Sequence, residues 1–284
     1  MHSDSPQGRS RHASFEQISS LSNDTVKLLR SLDRKKARNE SGLFLAEGAR
    51  LAEEGLAHEW TPAYVLAGAE GADRPRTADL LQRLTDAGAR VLLASAKVME
   101  AVSRKDNPQT VVTAFRQRSF SLDDLAVSGR ARWIALYEVR DPGNLGTIIR
   151  TADAAGVSGV ILIGSCCDPV SVEAVRASMG SLFASRIAHA SPEAFDAWRR
   201  KQGARLLAAS MHGDRSHDDA TYSERSIVLM GNEQSGLPDD IEAACDELVR
   251  IPMRGSADSL NLAAAASVMI YAAWRAQDYA GARS

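Results

Sequence analysis

Three turn-rich stretches in the second half of the chain combine glycines with polar side chains, and they are the candidates for chemistry. They read RDPGNLG at 140–146, LMGNEQSGLP at 229–238 and IPMRGSADSLN at 251–261. In the second stretch two glycines enclose four polar residues, so the backbone can wrap closely around a ligand. The third stretch opens a helix with four consecutive alanines, which leave room for a flat ligand. Each stretch taken alone also fits an ordinary structural turn.

One arginine next to the first stretch is not explained by turn chemistry. Asp141 and the proline after it predict a turn, in which Gly143 permits a positive φ angle. Asn144 is a good residue for a helix N-cap. Arg150 lies two turns into the helix that follows, on roughly the same side as Gly146. Its position in an otherwise bland helix indicates a function.

Familiar ligand motifs are absent from the sequence. The chain has neither the G-x-G-x-x-G of dinucleotide loops nor the G-x-x-x-x-G-K-[ST] of Walker-type phosphate loops. Gly143 and Gly146 do fit the G-x-x-G of KH modules, but that short match is common by chance and here follows a strand. The histidines at 189, 212 and 217 are scattered, as expected of surface or satisfied core residues, so no metal is expected.

The elements that position these stretches form two alternating series. Apolar runs at 42–48, 63–68, 90–95 and 110–115, separated by helical patterns, predict a small α/β/α domain with a mostly parallel sheet. The alternation restarts at a strand over 133–139, and a second doubly wound domain follows, with strands expected at 159–164, 186–189, 204–209, 226–231 and 247–251 and a long helix at 260–276. Ligands of open α/β sheets bind beyond the carboxyl ends of the strands, where the three stretches should converge.

Composition places the chain among soluble globular proteins. Of its 284 residues 44% are hydrophobic and 25% charged, and the net charge is −2. Three cysteines, two of them adjacent, fit neither a disulfide framework nor a zinc site. The sequence shows no signal peptide and no apolar run of about 18 residues, so we expect a cytoplasmic protein with no membrane contact.

The predicted boundaries divide the chain into four segments. Residues 1–20 are rich in polar residues and predict a disordered tail. The first domain is expected at 21–116, a linker at 117–130 and the second domain at 131–284. Six basic and three acidic side chains crowd residues 21–40. A solvated helix face explains this excess, and a surface that grips phosphates is the alternative.

The three motifs, in this order within a C-terminal α/β domain, resemble those of the SpoU (TrmH) family of RNA ribose 2′-O-methyltransferases. The matching segments are DPGNLGTIIRTADAAGV at 141–157, LMGNEQSGL at 229–237 and IPMRGSADSLNLAAAAS at 251–267, with VRASMG at 175–180 between them. DRKKARNESGLFLAEGARLAEE at 33–54 is similar to an L30e-like substrate-binding domain. Each motif alone is weak, but the ordered set is specific and covers nearly all of the chain after about residue 21.

The resemblance implies a fold, a cofactor and an assembly. The C-terminal domain would be an α/β trefoil-knot (SPOUT) methyltransferase domain, a rare exception to the rule that chains are not knotted. The enzymes work as homodimers through this domain and bind S-adenosylmethionine, without a metal. Carried over to this sequence, the cofactor pocket would comprise Leu229, Met230, Gly231, Asn232, Gly236, Ile251, Met253, Leu260, Asn261 and Ala265.

The reaction implied is methyl transfer from a sulfonium to a ribose 2′-hydroxyl. Arg150 would lie near that hydroxyl and the adjacent phosphate, with Asn144 and Glu233 orienting it. Ser259 and Asn261 would complete the polar wall. Because an arginine pKa lies above about 12, Arg150 suits electrostatic stabilisation better than proton abstraction, and the base stays unassigned. Glu233 either accepts the proton or holds one of the other two side chains.

The resemblance also favours RNA contact for the basic segment, through Arg30, Arg34, Lys35, Lys36 and Arg38. One departure from the family pattern is the pair Leu262 and Ala263, where a valine and a serine are usual, so one secondary hydroxyl contact is lost.

The leading hypothesis is a methyltransferase acting on 23S ribosomal RNA. The alternatives are a transfer-RNA methyltransferase of the same family, a non-catalytic RNA-binding or assembly module, and a small-molecule nucleotide enzyme.

Overall fold

The computed structural model describes residues 15–103 and 109–282. Its first half alternates strands and helices in nearly the predicted order. The elements are β1 Glu16–Ile18, α1 Asp24–Ser31, α2 Lys35–Ser41, β2 Leu43–Glu47, α3 Ala49–Ala57, β3 Pro62–Gly68, α4 Pro75–Asp86, β4 Arg90–Ala94, α5 Ala96–Ser103 and β5 Val111–Arg116.

The first sheet is mixed rather than mostly parallel. Its strand order is β1-β4-β3-β5-β2, in which β1 and β3 run parallel to β4. The last strand, β5, inserts antiparallel between β3 and β2. The pattern of apolar residues reveals that a strand exists, whereas its direction depends on which neighbours it pairs with, so this prediction was wrong.

The prediction of a disordered tail over 1–20 is wrong for its last residues. Glu16–Ile18 forms an edge strand whose residues pair in parallel register with Leu92–Ala94. Ile18 is buried in the core of the first domain, and Arg90 donates a 2.5 Å hydrogen bond to Glu16. Three residues are too few for a recognisable strand pattern, and only the neighbouring strand makes them extended. Residues 1–14 of the predicted tail lie outside the described residues.

The second half forms a parallel seven-stranded sheet in the order β10-β12-β9-β11-β6-β7-β8. Its elements are β6 Ala131–Tyr137, α6 Pro142–Ala154, β7 Gly159–Ile163, α7 Val172–Ala177, α8 Ser181–Ala184, β8 Ile187–Ala190, α9 Pro192–Gln202, β9 Arg205–Ala209, β10 Arg215–Ser216, β11 Arg225–Met230, α10 Asp239–Ala243, β12 Glu247–Arg250 and α11 Leu262–Arg275. The sequence also predicts a helix at 170–180. In the structure it spans only Val172–Ala177, and α8 begins after Gly180, which takes a positive φ angle.

The segment predicted as a linker packs onto the second sheet. It contains a short 3-10 helix at Asp123–Leu125, and Leu125 is fully buried in a cluster with Trp133 and Trp198. The indole of Trp133 donates a 3.0 Å hydrogen bond to the carbonyl oxygen of Leu125. A single apolar side chain therefore anchors a stretch that shows no strand or helix periodicity.

Aromatic rings join the two halves. Phe44, Trp60 and Phe115 of the first half surround Phe183 of α8, with ring centroids 5.1–6.1 Å from Phe183. The indole nitrogen of Trp60 also donates a 2.9 Å hydrogen bond to the carbonyl oxygen of Phe183. One hydrophobic core is thus continuous between the two halves, which fixes the first domain relative to the second.

A buried ion pair lies at the same boundary. The guanidinium of Arg38, only 3% exposed, donates bonds of 2.9 and 2.6 Å to Asp168 in the loop after β7. Its third nitrogen donates to the carbonyl oxygens of Leu32 and Asp33. Arg38 was expected on an RNA-contacting surface, and that prediction was wrong. The helix turns Arg38 inward, away from its exposed basic neighbours.

We expect Arg38→Met to lower the free energy of unfolding by about 3–5 kcal/mol, because it leaves the Asp168 carboxylate buried without its cation. Chemical denaturation measures this loss. Adding Asp168→Asn to Arg38→Met should recover part of it, because the uncompensated charge is then gone. Equal midpoints for the wild type and the single variant would contradict a structural role for the pair.

Candidate functional site

A cavity of about 380 Å³ opens at the carboxyl edge of the second sheet. The loops after β9, β11 and β12 and the start of α11 enclose it. Its volume is within the range of about 300–1,000 Å³ that small-molecule sites occupy. Apolar and polar side chains both line it, so it suits a ligand with a flat apolar part and several polar groups.

Most of the predicted cofactor residues line this cavity. They are Met230, Gly231, Asn232, Gly236, Ile251, Met253, Leu260 and Ala265, joined by Glu233 and Ser259 from the predicted catalytic set. Leu229 does not line it: its side chain is buried in the cluster on the other face of the sheet, because neighbouring strand residues point to opposite faces. Asn261 lies next to the cavity rather than in its lining.

The loop after β11 is tightly folded. A Cβ on Gly231 would lie 2.5 Å from the carbonyl carbon of Gly236, closer than any side chain allows. The backbones of Asn232 and Gly236 exchange two hydrogen bonds of 2.9 and 3.0 Å. The Asn232 amide donates a 2.7 Å bond to the carbonyl oxygen of Glu138, which ties this loop to the end of β6. These glycines therefore shape the cavity wall.

The first motif begins its helix earlier than predicted. Asp141, not Asn144, is the N-cap of α6, and its carboxylate accepts a 2.6 Å hydrogen bond from the Asn144 backbone. Gly143 lies within the first helical turn and does not use a positive φ angle. Gly146 is required for packing, since a Cβ there would meet the Ala174 carbonyl oxygen of α7 at 2.4 Å. The cap leaves the Asn144 side chain free for other contacts.

A chain of hydrogen bonds joins all three motifs. The carboxylate of Glu233 accepts bonds of 3.2 Å from the backbone nitrogens of Arg140 and Asp141 and one of 3.3 Å from the Asn144 amide. The Asn144 oxygen in turn accepts a 3.0 Å bond from the Asn261 amide. Asn261 is the N-cap of α11, and its own oxygen accepts from the first backbone nitrogens of that helix.

These contacts bear on the two roles left open for Glu233, proton acceptor or holder of another side chain. Partial burial opposes ionisation, but the backbone and Asn144 hydrogen bonds outweigh it, and the pKa of Glu233 lies below its usual range. Both carboxylate oxygens are also engaged. Glu233 therefore orients Asn144 and the backbone at 140–141, and Arg150 is not among its partners.

Arg150 stands apart from this network. It lies six residues beyond Asn144 on α6, which places its Cα about 9 Å further along the helix axis and about 120° around it. The side chain is exposed, and among the described residues it has no hydrogen bond or ion pair. The structure thus leaves the Arg150 guanidinium available to a partner from outside the chain.

Sequence reasoning missed one group of cavity residues. Ser210, His212 and Glu242 also line the cavity and are hydrogen-bonded to one another. The histidine was expected to be one of several scattered surface residues. The position of Ser210 in the sequence could have identified this group. Ser210 directly follows β9, whose carboxyl end lies at the same sheet edge as the predicted loops.

Four of the five predicted RNA-contacting residues are exposed, namely Arg30, Arg34, Lys35 and Lys36. They lie on or next to α1 and α2, and the buried Arg38 holds α2 against the second domain. Within the described residues these four cations make one ion pair, in which Lys36 Nζ lies 3.8 Å from a carboxylate oxygen of Glu40 on the exposed surface. Such a pair is weak, so these cations are open to an anionic partner.

Two kinds of feature are absent from the described part of the chain. Residues 15–103 and 109–282 contain no group of three or more His, Cys, Asp or Glu side chains arranged to hold a metal ion. No helix within those residues is sufficiently long and apolar to cross a membrane.

Comparison with known families gives two matches. Residues 131–271 match the SpoU rRNA Methylase family, and residues 23–113 match the MRM3-like substrate binding domain. The first match spans the cavity and the hydrogen-bonded network, and the second spans the exposed cations. Together they cover both sheets except for β1 and the last residues of β5.

Characterised relatives align over nearly the whole chain. A 23S rRNA (uridine(2479)-2'-O)-methyltransferase from Streptomyces viridochromogenes is 31% identical over 94% of this chain and 91% of its own. The 23S rRNA (guanosine(2553)-2'-O)-methyltransferase RlmP of Bacillus subtilis is 28% identical over 90% and 98%. The crystal structure of an AdoMet-bound rRNA methyltransferase from Sinorhizobium meliloti has a TM-score of 0.86 and 42% identity, covering 92% of this chain and 98% of that one. The chain belongs to the SpoU rRNA methylase family.

Proposed function

We propose that this protein transfers a methyl group from S-adenosylmethionine to a ribose 2′-hydroxyl of 23S ribosomal RNA. The observation that carries the proposal is the hydrogen-bonded chain from Glu233 through Asn144 to Asn261. It unites the three family motifs at the mouth of a cavity of cofactor size. The RNA specificities of the two characterised relatives support ribosomal RNA over transfer RNA.

The cavity fits S-adenosylmethionine by its chemistry. Met230, Ile251 and Leu262 supply apolar surface for an adenine ring, and Ala265 lets the ring approach α11 closely. Backbone groups of the tight loop at 231–236 are the donors and acceptors nearest to them. When bound, the cofactor supplies a methyl group made electrophilic by its sulfonium sulfur.

The protein's own residues act on the nucleophile. A ribose hydroxyl must lose its proton while its oxygen bonds to the methyl carbon and the carbon–sulfur bond breaks, so negative charge on that oxygen needs stabilisation. Asn144, fixed by Glu233 and Asn261, orients the ribose, and Ser259 adds a hydroxyl to the same wall. Arg150 supplies the positive charge for the alkoxide and the adjacent phosphate.

We further propose a homodimer through the second domain, which would cover the surface near Arg150 and α11. Supporting it, Tyr271 on α11 and Met253 and Leu260 at the cavity mouth are each about 40% exposed although large and apolar. The trefoil knot of the family and the domain boundaries at 21–116 and 131–284 belong to the same proposal. Because ribosomal RNA is the substrate, we place the enzyme in the cytoplasm.

Methylation of RNA from a strain lacking this gene tests the function. Purified protein and S-adenosylmethionine should restore one 2′-O-methyl mark in 23S RNA, mapped by resistance of the linkage to alkali. A mark restored only in transfer RNA would replace the substrate assignment. Cofactor binding by calorimetry without any restored mark would favour an assembly module, and tight binding of NAD or ATP in its place would overturn the methyltransferase assignment.

We expect the double variant Lys35→Ala, Lys36→Ala to weaken RNA binding on the order of tenfold at moderate salt. Loss of two phosphate contacts should also reduce the slope of log affinity against log salt by about 2. Filter binding at several salt concentrations measures both. The control is Lys97→Ala, Lys201→Ala, which removes the same charge from exposed positions elsewhere. Equal slopes in the two double variants would contradict an RNA-contacting face.

A further inference from the structure

The part of the cavity wall formed by the loop after β9 and by α10 carries a closed ring of hydrogen bonds. Ser210 donates a 2.5 Å bond from its hydroxyl to one oxygen of Glu242 and accepts a 3.0 Å bond from the His212 backbone. The His212 ring nitrogen Nδ1 lies 2.9 Å from the other Glu242 oxygen. All three residues line the cavity.

This ring joins two separate elements of the cavity wall. Ser210 and His212 belong to the loop after β9, while Glu242 is on α10, which follows the tight loop of the second motif. No residue of α10 is buried. The side chain of Glu242 is nevertheless only 11% exposed, whereas that of His212 is 72% exposed. A carboxylate is thus held inward on a helix that lies at the surface.

The directions of the pKa shifts of Glu242 and His212 favour an ionised Glu242, which can only accept hydrogen bonds. Burial opposes ionisation of Glu242, but hydrogen bonds from Ser210 and His212 and the charge of His212 bring the pKa of Glu242 below its usual range. The same hydrogen bond and the charge of Glu242 raise the pKa of His212. Asp239 adds to this effect on His212. The other charged residues that line the cavity are Glu233, Arg250 and Asp258.

The carboxylate retains acceptor capacity. Two oxygens offer about four lone-pair positions, and Ser210 and His212 occupy one on each oxygen. A cavity wall that presents an ionised, pre-ordered acceptor selects ligands with an N–H or O–H group at that place. The adenosyl cofactor carries such groups on its ribose and on its amino-acid end.

We propose that Glu242 is a recognition residue of the cofactor cavity, whose carboxylate accepts a hydrogen bond from a ribose hydroxyl or the ammonium of the bound adenosyl ligand. Ser210 and His212 are positioning residues that aim it. The inference rests on the proposed function, because it takes the cavity to be the S-adenosylmethionine site. It adds a fourth loop to the three that carry the family motifs.

Calorimetric titration with S-adenosylhomocysteine tests the assignment. Glu242→Gln keeps the size of the side chain but loses the charge, and we expect an affinity about 10- to 100-fold lower, the usual effect of losing a hydrogen bond to a charged group. The matched control is Glu224→Gln, an exposed glutamate that precedes β11 at the opposite edge of the sheet. Its affinity should equal that of the wild type.

Two smaller ligands distinguish a direct contact between Glu242 and the ligand from an effect of Glu242 on the shape of the cavity wall. 5′-Methylthioadenosine has the ribose but not the ammonium. If Glu242→Gln weakens its binding as much as that of S-adenosylhomocysteine, Glu242 contacts the ribose hydroxyl; if its affinity is unchanged, Glu242 contacts the ammonium. Adenine has neither group, and an equal loss of adenine binding would show that Glu242 only shapes the wall and would overturn the proposal. Unchanged affinity of Glu242→Gln for S-adenosylhomocysteine would overturn it too, whereas a wild type that binds none of these ligands would refute the proposed function itself.

Two further variants guard against misfolding and test positioning. Glu242→Asp retains the charge but draws it back by one methylene, so it should lose affinity while its thermal unfolding stays that of the wild type. Ser210→Ala removes one aiming bond and leaves the carboxylate, so we expect a loss smaller than that of Glu242→Gln. A larger loss in Ser210→Ala would contradict the division between recognition and positioning.

Discussion

Replacing Arg150 with alanine is expected to lower the rate of RNA methylation by about 10²- to 10³-fold, the usual effect of removing one stabilising group from an oxyanion site. Cofactor affinity should stay unchanged, because Arg150 does not line the cavity. Unfolding should change by less than about 0.5 kcal/mol, since the side chain is exposed and has no partner among the described residues. Single-turnover methylation with saturating RNA measures the rate.

The physical reason is the isolation of this guanidinium. An exposed arginine with no partner contributes nothing to the fold, so its loss is visible only where an external anion meets it. The 2′-alkoxide and its neighbouring phosphate are such anions. Arg150→Lys should recover only part of the rate, because an ammonium keeps the charge but not the planar two-pronged donor geometry.

The matched control is Arg76→Ala, which removes an exposed helical arginine from the first domain. Its methylation rate should equal that of the wild type. Undiminished methylation by Arg150→Ala would show that the catalytic assignment is wrong. A loss of cofactor binding in the same variant would place the effect in the cavity and not on the nucleophile.

The convergence of the three motifs was predictable from the sequence, because parallel strands bring their carboxyl ends to one edge. The same rule also places the loop with Ser210 there, but that loop has a single glycine, Gly213, and not the pair of glycines that encloses polar residues in the second motif. The rule does not predict which face of the sheet a single side chain points to. Leu229 and Met230 are neighbours on β11, yet only Met230 reaches the cavity.

Partners distant in sequence account for the other differences. Arg38 lies among exposed cations, and only Asp168, 130 residues away, makes it part of the buried boundary between the halves. Glu16–Ile18 is a strand only because β4 offers an open edge. The sequence analysis predicted Asn144 as the helix cap and gave Asp141 to the turn. In the structure Asp141 caps the helix, and the Asn144 side chain contacts Glu233 and Asn261.

Glu233→Gln is the second change with a large expected effect, a loss of about 10²-fold in the methylation rate. The two carboxylate oxygens together accept three N–H donors. A glutamine offers one oxygen, and its amino group would face a donor at the other position. In one orientation of the glutamine the Arg140 backbone nitrogen loses its acceptor, and in the other both the Asp141 backbone nitrogen and the Asn144 amide lose theirs. Either loss weakens the link between the second motif and the first, which holds Asn144 in place. Glu224→Gln is again the control.

The pH dependence and a double variant distinguish orientation from proton transfer. Because the pKa of Glu233 is lowered, its ionised form is complete above about pH 5 and is lost only as the pH falls through that lowered value. Either role needs the ionised carboxylate, so either gives the wild-type rate an acid limb as the pH falls through that pKa. In Glu233→Gln a lost base would leave a rate that rises with hydroxide concentration, whereas a lost orienting group would lower the rate by the same factor across the pH range above the limb. If Glu233 acts through Asn144, combining Glu233→Gln with Asn144→Ala should cost no more than the worse single variant. Losses that multiply would mean that the two side chains act independently, and the chain of hydrogen bonds joining the motifs would then be structural alone.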